Sequence, residues 1–225
     1  MTFLLMFAIG IGVPISPLLA SNMGASWIEI GLMGSACALI FTFSALMTGR
    51  VSDRIGRRPI LAVSSVLSAS AALLFMKATS ISELIAIRGL DGLAWACFWP
   101  PMEALATETS DTGQIGRGIG LVTSVYALGF AIGSFAGGFI TTVFGFALTF
   151  FTYFVFAALS ILAVWLIAVP RHSWPSEPLL GDRLLPRLSS RDLIAGNVLG
   201  ASYTFGLATI MALLSVYAAG IEIPV

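Results

Sequence analysis

The sequence predicts an all-α membrane protein. Of its 225 residues, 58% are hydrophobic and only 10% are charged, whereas soluble domains are about 25% charged. The apolar residues form runs of roughly 20, the length that a helix needs to cross the hydrocarbon core of a bilayer. The two-residue alternation of a membrane β-barrel is absent. With so little polar material to coat a water-facing surface, the chain is expected to be a multi-pass integral membrane protein surrounded by the lipid bilayer.

Seven apolar runs are long enough to be spanning helices. Helices are expected because lipid offers the backbone no hydrogen-bonding partners. The runs cover residues 2–20, 28–48, 60–77, 82–106, 116–141, 146–169 and 193–219. No basic segment precedes the first run, so we expect it to be a retained span and not a signal peptide.

The positions of the basic residues predict how the helices are oriented. Nine of the 11 lysines and arginines lie near the connections after the second, fourth and sixth runs, which share one side of the bilayer. The opposite side has only Lys77, and Arg88 lies inside the fourth run. By the positive-inside rule, the arginine-rich connections face the cytoplasm. The N-terminus is therefore expected to be cytoplasmic, with the protein in the plasma (inner) membrane.

A change in composition near residue 170 predicts three parts of the chain. Residues 1–169 hold six of the seven runs and form an N-terminal bundle. Residues 170–192 contain four prolines, five basic or histidine side chains and three acids, which is typical of a linker. Residues 193–225 hold the seventh run, as the first helix of an incomplete second bundle.

A faint repeat relates the two halves of the N-terminal bundle. Gly49 and Gly56 flank the connection after the second run, and Gly138 and Gly145 flank the connection after the fifth run with the same spacing. Runs one to three and four to six would then be two three-helix repeats. Because each repeat has an odd number of spans, the two repeats have opposite orientations, as in secondary transporters.

The most specific motif is GRVSDRIGRRP, which begins at Gly49 and crowds four arginines and one aspartate between two apolar runs. Asp53 lies among guanidinium groups and should stay ionised and hydrogen-bonded. Gly49 would let a neighbouring helix approach closely, and Gly56 permits a turn that a side chain would strain. Arg54 and Arg58 could simply anchor the topology, but anchoring alone gives no reason for the aspartate or the paired glycines.

This segment resembles a signature loop of the major facilitator superfamily, with the approximate pattern G-x-x-x-D-R-x-G-R-[RK]. Every fixed position is matched, and the segment lies in the expected place, between the second and third helices. In that family the aspartate and its arginines form a latch near the cytoplasmic gate, which holds the two halves together in one state. The resemblance implies this role chiefly for Asp53 and Arg57. The whole predicted latch comprises Gly49, Asp53, Arg54, Gly56, Arg57 and Arg58.

The fourth run contains two charged residues within a spanning segment. Arg88 and Asp91 are three residues apart and share one helical face, which must turn toward the bundle interior or a wet cavity. The segment RGLDG also fits the R-x-x-x-G pattern of the family, which implies that Arg88 lines the central path and takes part in coupling, with Asp91 as the candidate proton carrier. The alternative is a structural pair that locks helix 4 to helix 1 or helix 2. Farther along the run, Glu103 is expected to pair with Arg117 or with an arginine of the latch.

Glycines in the fifth run predict close helix packing. Gly129, Gly133 and Gly137 recur every four residues on one face, where small residues let two helix backbones touch. With Gly138 they are similar to the G-x-x-x-G-P-x-x-G-G segment of the family's exporters, although Ser134 replaces the proline. Tight packing alone remains the alternative to an exporter signature.

The substrate path is expected to run beside the first and fourth helices. Pro14 and Pro17 interrupt the first run, and the carbonyls that they free are tolerable only against protein or a wet cavity. The first helix should therefore bend along the path. Trp95 and Trp99 could wall the same cavity, or they could be ordinary core or lipid contacts.

These observations predict a secondary active transporter that moves a small solute by alternating access, with proton-coupled efflux as the expected mode. Uptake of a sugar or an organic anion is the alternative. The sequence contains no phosphate-binding G-x-x-x-x-G-K-[ST] motif, so nothing in it suggests ATP-driven transport. Neither a cofactor nor a metal is expected. Cys37 and Cys97 lie inside apolar runs and are best interpreted as small core residues.

Other functional classes fit the sequence poorly. The chain has no H-E-x-x-H motif and no convincing nucleophile–base pair, so it is not expected to be an enzyme. The seventh run lacks the lysine that a retinal Schiff base needs, which argues against a light-driven seven-helix protein, and the zero net charge argues against nucleic acid as a partner.

Family members usually have twelve helices, so we expect either a missing C-terminal half on a partner chain or a fragment that cannot transport alone.

Overall fold

In the computed structural model of the chain, residues 1–110 and 114–166 are described, and they form six α-helices. The helices are α1 (Thr2–Asn22), α2 (Trp27–Ile55), α3 (Arg57–Lys77), α4 (Ile81–Glu108), α5 (Ile115–Phe144) and α6 (Phe146–Leu166). The all-α prediction is confirmed for this part of the chain. The predicted linker and seventh helix lie outside the described residues.

The predicted loop between the second and third helices is almost entirely helical. α2 continues through the charged motif to Ile55, and α3 begins at Arg57. Only Gly56 separates them, with φ 97° and ψ 159°. Polar residues end a hydrophobic run without ending a helix, and so the sequence pattern placed the end of α2 too early.

Five of the six described helices are long and apolar enough to cross a membrane, and the exception is α4. Arg88, Asp91 and the pair Pro100–Pro101 lower its hydropathy. α4 packs against α2 and α3, and Arg88 and Asp91 are both buried. These two charges are therefore shielded from lipid, as a spanning helix requires.

The packing of the helices follows an inverted twofold pattern. α1 packs against α5 and α6, α4 packs against α2 and α3, and α3 contacts α6. Exchanging α1–α3 with α4–α6 leaves this list of neighbours unchanged. Successive helices are joined by short connections, so three spans per repeat give the two repeats opposite directions. This is the predicted bundle of two inverted three-helix repeats.

Single glycines join the second and third helices of each repeat. Gly56 and Gly145 have φ values of 97° and 82°, a region in which only glycine is unstrained. The predicted close approach at Gly49 is wrong for the described residues, because an added Cβ there would meet nothing within 4 Å. The same is true of Gly138. In each repeat, then, the second glycine is needed by the backbone, and the first has no close neighbour among the described residues.

The predicted glycine face of α5 packs directly on the backbone of α1. An added Cβ at Gly133 would lie 2.2 Å from the carbonyl oxygen of Phe7. Gly129 and Gly137 are similarly confined, at 2.9 Å and 2.7 Å from α1 carbonyl oxygens. These distances are too short for any side chain, so the three glycines lie where the backbones of α1 and α5 touch.

The symmetry-related contact between α2 and α4 has the same feature. An added Cβ at Gly92 would lie 2.2 Å from the carbonyl oxygen of Cys37. One turn earlier, Gly89 would meet the side chain of Ile40 at 2.6 Å. Glycines therefore hold both symmetry-related helix pairs at backbone contact distance.

The prolines of α1 lie within a continuous helix. Pro17 cannot donate a hydrogen bond to the carbonyl of Val13, and the hydroxyl of Ser16 donates to that carbonyl at 3.1 Å. Pro17 is buried and Pro14 is half-buried. The carbonyl freed at Val13 is thus satisfied within the protein, and the bend along a substrate path stays a prediction.

The prolines of α4 create a similar need, which a neighbouring helix meets. Pro100 leaves the carbonyl of Ala96 without its helical donor. Thr48 of α2 donates its hydroxyl to this carbonyl at 2.7 Å. The threonine thereby ties α2 to the break in α4, which is how spanning helices tolerate proline.

Thr48→Val should destabilise the bundle by about 1–2 kcal/mol, because it keeps the shape of the side chain but leaves a buried carbonyl unpaired. Pro100→Ala restores a backbone donor for Ala96 and should remove most of that cost. Unfolding in detergent measures both effects. Thr42→Val is the control, since the hydroxyl of Thr42 bonds within α2, to the carbonyl of Ala38. An equal cost of Thr48→Val with and without Pro100 would contradict this account.

Candidate functional site

The first candidate site is a polar cluster where the ends of α2, α3 and α4 meet. Arg57 lies at its centre and is 9% exposed. Its Nη2 and Nε donate to Oε1 of Glu108 at 2.7 Å and 3.2 Å. Its Nη1 donates to the hydroxyl of Ser52 at 3.1 Å and also to Asp53 Oδ1. One guanidinium therefore binds two carboxylates from two other helices.

The Gly56 joint places these groups together. Because α3 starts immediately after α2, Asp53 and Arg57, which are four residues apart in sequence, stay within contact distance across the joint. The Asp53 side chain is still 57% exposed. The predicted pair of Asp53 and Arg57 is formed, and the aspartate also keeps a face open toward any further partner.

The other two arginines of the predicted latch do not join this cluster. Arg58 donates from Nε to the carbonyl of Val164 at 2.9 Å, also bonds the carbonyl of Trp165, and lies 5.0 Å from the centre of the Trp165 ring. It therefore satisfies carbonyls at the C-terminal end of α6. Arg54 is exposed and forms no ion pair within residues 1–110 and 114–166.

Sequence reasoning missed Glu108 as the acidic partner from α4. It expected Glu103 to pair with a latch arginine or with Arg117. Arg117 instead bonds Gln114 at 3.4 Å. Glu103 precedes Glu108 by five residues, roughly 140° around the helix, and so it faces another direction. The missed signal was the length of α4, which continues to Glu108 beyond the apolar run.

The second candidate site is the buried ion pair of α4. Arg88 Nη1 donates to Asp91 Oδ2 at 2.9 Å. Arg88 is 9% exposed and Asp91 2% exposed. The pair faces the bundle interior, as predicted for charges in a spanning helix. The hydrogen bond that links it to another described helix comes from Tyr153 of α6, and not from α1 or α2 as the structural alternative supposed.

Of the two predicted tryptophans, Trp99 lies between α4 and α5. Trp95 and Trp99 are half-buried. Trp99 packs edge-on against Tyr126 of α5, with ring centres 4.9 Å apart, and against Phe98 at 5.5 Å. These contacts make Trp99 part of the α4–α5 packing, and a role in the substrate path stays a prediction.

The family follows from comparison with known proteins. Residues 1–224 match the family model of the Major Facilitator Superfamily. The chain belongs to the major facilitator superfamily. The family consists of membrane transporters, which agrees with the prediction that this chain is not an enzyme.

Curated relatives resemble this superfamily member over most of its length. The quinolone resistance protein NorA of Staphylococcus aureus is 24% identical over 218 residues, which is 96% of this chain and 56% of the relative. An uncharacterised transporter of the same type from Methanocaldococcus jannaschii is 25% identical over 150 residues, 67% of this chain and 39% of the relative. The chain thus spans about half the length of the curated relatives that it matches.

A solved structure supports the fold of this superfamily member. It is a bacterial homologue of the human lysosomal transporter Spinster, in an inward-facing and unoccupied conformation. The TM-score is 0.57 at 15% identity, over 81% of this chain and 44% of the other. At this identity the likeness concerns the fold, and it agrees with one bundle of a two-bundle transporter.

Proposed function

We propose that the protein acts in secondary active transport, exporting a small solute in exchange for protons. The observation that carries this proposal is the Arg88–Asp91 pair buried within an inverted-repeat bundle. Such pairs are costly in a membrane and mark ion or proton pathways. The similarity to a quinolone resistance protein supports export, and it suggests planar aromatic compounds as the first substrates to test.

The proposed coupling uses the charge of Asp91. A proton taken up by the carboxylate would leave a neutral acid, which no longer attracts the Arg88 guanidinium. Arg88 itself stays charged, because a guanidinium does not release its proton in proteins. Binding and release of one proton would therefore make and break the pair. The interaction free energy of Asp91 with its partners differs between its charged and neutral states. This difference can bias the bundle toward one conformation.

The Arg57 cluster is proposed as the cytoplasmic latch. Arg57 holds the ends of three helices together through Asp53 and Glu108, while the exposed face of Asp53 is free to meet the opposing half of a transporter. In this proposal the cluster faces the cytoplasm. A C-terminal half, from the same or another polypeptide, would complete the transport path.

Transport in inverted membrane vesicles tests the function. We would express the chain alone and, in a second arm, together with the C-terminal half of the staphylococcal relative as a separate chain. An acidic vesicle interior should drive accumulation of a fluorescent quinolone, and a protonophore should abolish it. Gradient-driven loss of solute from the vesicles would favour the uptake alternative. No gradient-dependent movement in either arm would contradict the proposal.

The latch is tested by Glu108→Gln in the same vesicles. Loss of the charge-assisted hydrogen bonds to Arg57 should lower gradient-driven transport about tenfold. Glu103→Gln is the matched control, because Glu103 lies on the same helix but outside the Arg57 cluster, and its transport should be unchanged. Equal rates in the two variants would exclude Glu108 from the latch.

A further inference from the structure

A tyrosine of α6 completes the buried site of α4. The Tyr153 hydroxyl lies 3.4 Å from Oδ1 of Asp91, and Arg88 Nη1 binds the other oxygen, Oδ2, at 2.9 Å. Tyr153 is 2% exposed, as is Asp91. The carboxylate is thus held through both of its oxygens, by a cation of its own helix on one side and a phenol of another helix on the other.

Two small residues set the position of Tyr153. An added Cβ at Gly12 of α1 would lie 2.6 Å from Cδ1 of the tyrosine ring, so only glycine leaves room for the ring there. Ser68 of α3 is 1% exposed, and its hydroxyl faces that of Tyr153. The Ser68 hydroxyl has no hydrogen-bond partner among the described residues. Residues from α1, α3 and α4 therefore surround the tyrosine of α6.

The geometry gives Tyr153 a task that neither charged residue can perform. Arg88 and Asp91 belong to the same turn of α4 and hold each other wherever that helix moves. Tyr153 links the carboxylate to α6. An ionised carboxylate is a strong acceptor for the phenol proton, and the neutral acid is a weaker one. When Asp91 is neutral, the phenol can donate to the unpaired Ser68 hydroxyl instead.

We propose that Tyr153 is a positioning residue for coupling, whose hydroxyl ties α6 to Asp91 in one charge state and turns to Ser68 in the other. The inference rests on the proposed function. In this exchange the transported proton is carried by Asp91 alone, and the phenol keeps its own proton while changing its acceptor. The contact between α4 and α6 thereby depends on whether Asp91 carries a charge.

Tyr153→Phe tests the proposal, because it removes the hydroxyl and keeps the ring beside Gly12. Two modes are measured in vesicles from the transporting arm: quinolone accumulation driven by the pH gradient, and quinolone exchange without a gradient. We expect driven accumulation to fall about tenfold, the effect of losing one hydrogen bond to a charged group, while exchange stays unchanged. A residue that merely supports the fold would lower both modes together.

Ser160→Ala is the matched control. It removes a buried hydroxyl from the same helix, where it bonds the carbonyl of Ala157 at 2.6 Å, and it should change neither mode. Ser68→Ala is a second variant in case Tyr153→Phe does not fold, and it too should lower driven accumulation and spare exchange.

The outcomes separate this inference from the proposed function. Absence of driven accumulation in the unmodified protein would overturn the proposed function. Normal driven accumulation by Tyr153→Phe, or an equal loss of both modes in the Tyr153 and Ser68 variants, would overturn the positioning role and leave the proposed function standing.

Discussion

Arg88→Ala should abolish gradient-driven transport and lower the free energy of unfolding by about 3–5 kcal/mol, because it leaves the Asp91 carboxylate buried without its cation. The carboxylate is 2% exposed, so water cannot replace the lost guanidinium. Transport is measured in inverted vesicles, and stability is measured by unfolding in detergent. This is the largest functional effect that we expect from any single substitution in the bundle.

A double variant separates coupling from structural support. Arg88→Met combined with Asp91→Leu removes both charges and replaces them with apolar side chains, which commonly restores the stability lost when one partner of a buried pair is removed. We expect stability to return and gradient-driven transport to remain absent. Recovery of both would show that the pair serves only to hold the helices together.

Gly133→Ala should cost about 3 kcal/mol, the upper end of the range for overpacking. The added Cβ would lie 2.2 Å from the carbonyl oxygen of Phe7, and main-chain atoms of α1 cannot move aside as the end of a flexible side chain can. The two helices must separate along their whole contact, which also loosens Gly129 and Gly137. Thermal unfolding of the purified protein measures the loss.

Gly138→Ala is the control for Gly133→Ala. Both glycines lie in α5, but an added Cβ at Gly138 would meet nothing within 4 Å. Alanine is the better helix former by about 1 kcal/mol, so this variant should be neutral or slightly more stable. If the two variants lost the same stability, the backbone contact between α1 and α5 would not be the cause.

Local sequence patterns predicted the features that depend on one helix or one turn. Arg88 and Asp91 could be paired because a spacing of three places them on one face, and Gly133 could be placed at a helix contact because its neighbours repeat every four residues. The turn at Gly56 was predicted from the charged motif, and the equal spacing of Gly49–Gly56 and Gly138–Gly145 predicted the repeat. None of these inferences required knowledge of how the helices pack.

Features that depend on the packing of distant helices could not be predicted. Tyr153 reaches Asp91 across 62 residues of sequence, and only the position of α6 against α4 brings them together. Glu108 replaces Glu103 as the partner of Arg57 because of where α4 ends and how it is rotated. Gly49 was assigned a close contact that the described bundle does not contain, since its open face is visible only once all six helices are in place.

Labelling from one side of the membrane tests the central claim most directly, namely that a lipid-embedded bundle of inverted repeats carries its latch on the cytoplasmic face. Arg54→Cys places a thiol near the C-terminal end of α2, just before the joint, and Lys77→Cys places one at the far end of α3. Both positions are exposed, and Cys37 and Cys97 are replaced by serine in the background. On intact cells, a membrane-impermeant maleimide should label position 77 and leave position 54 unlabelled until the membrane is opened. Labelling of both positions from outside would contradict the account.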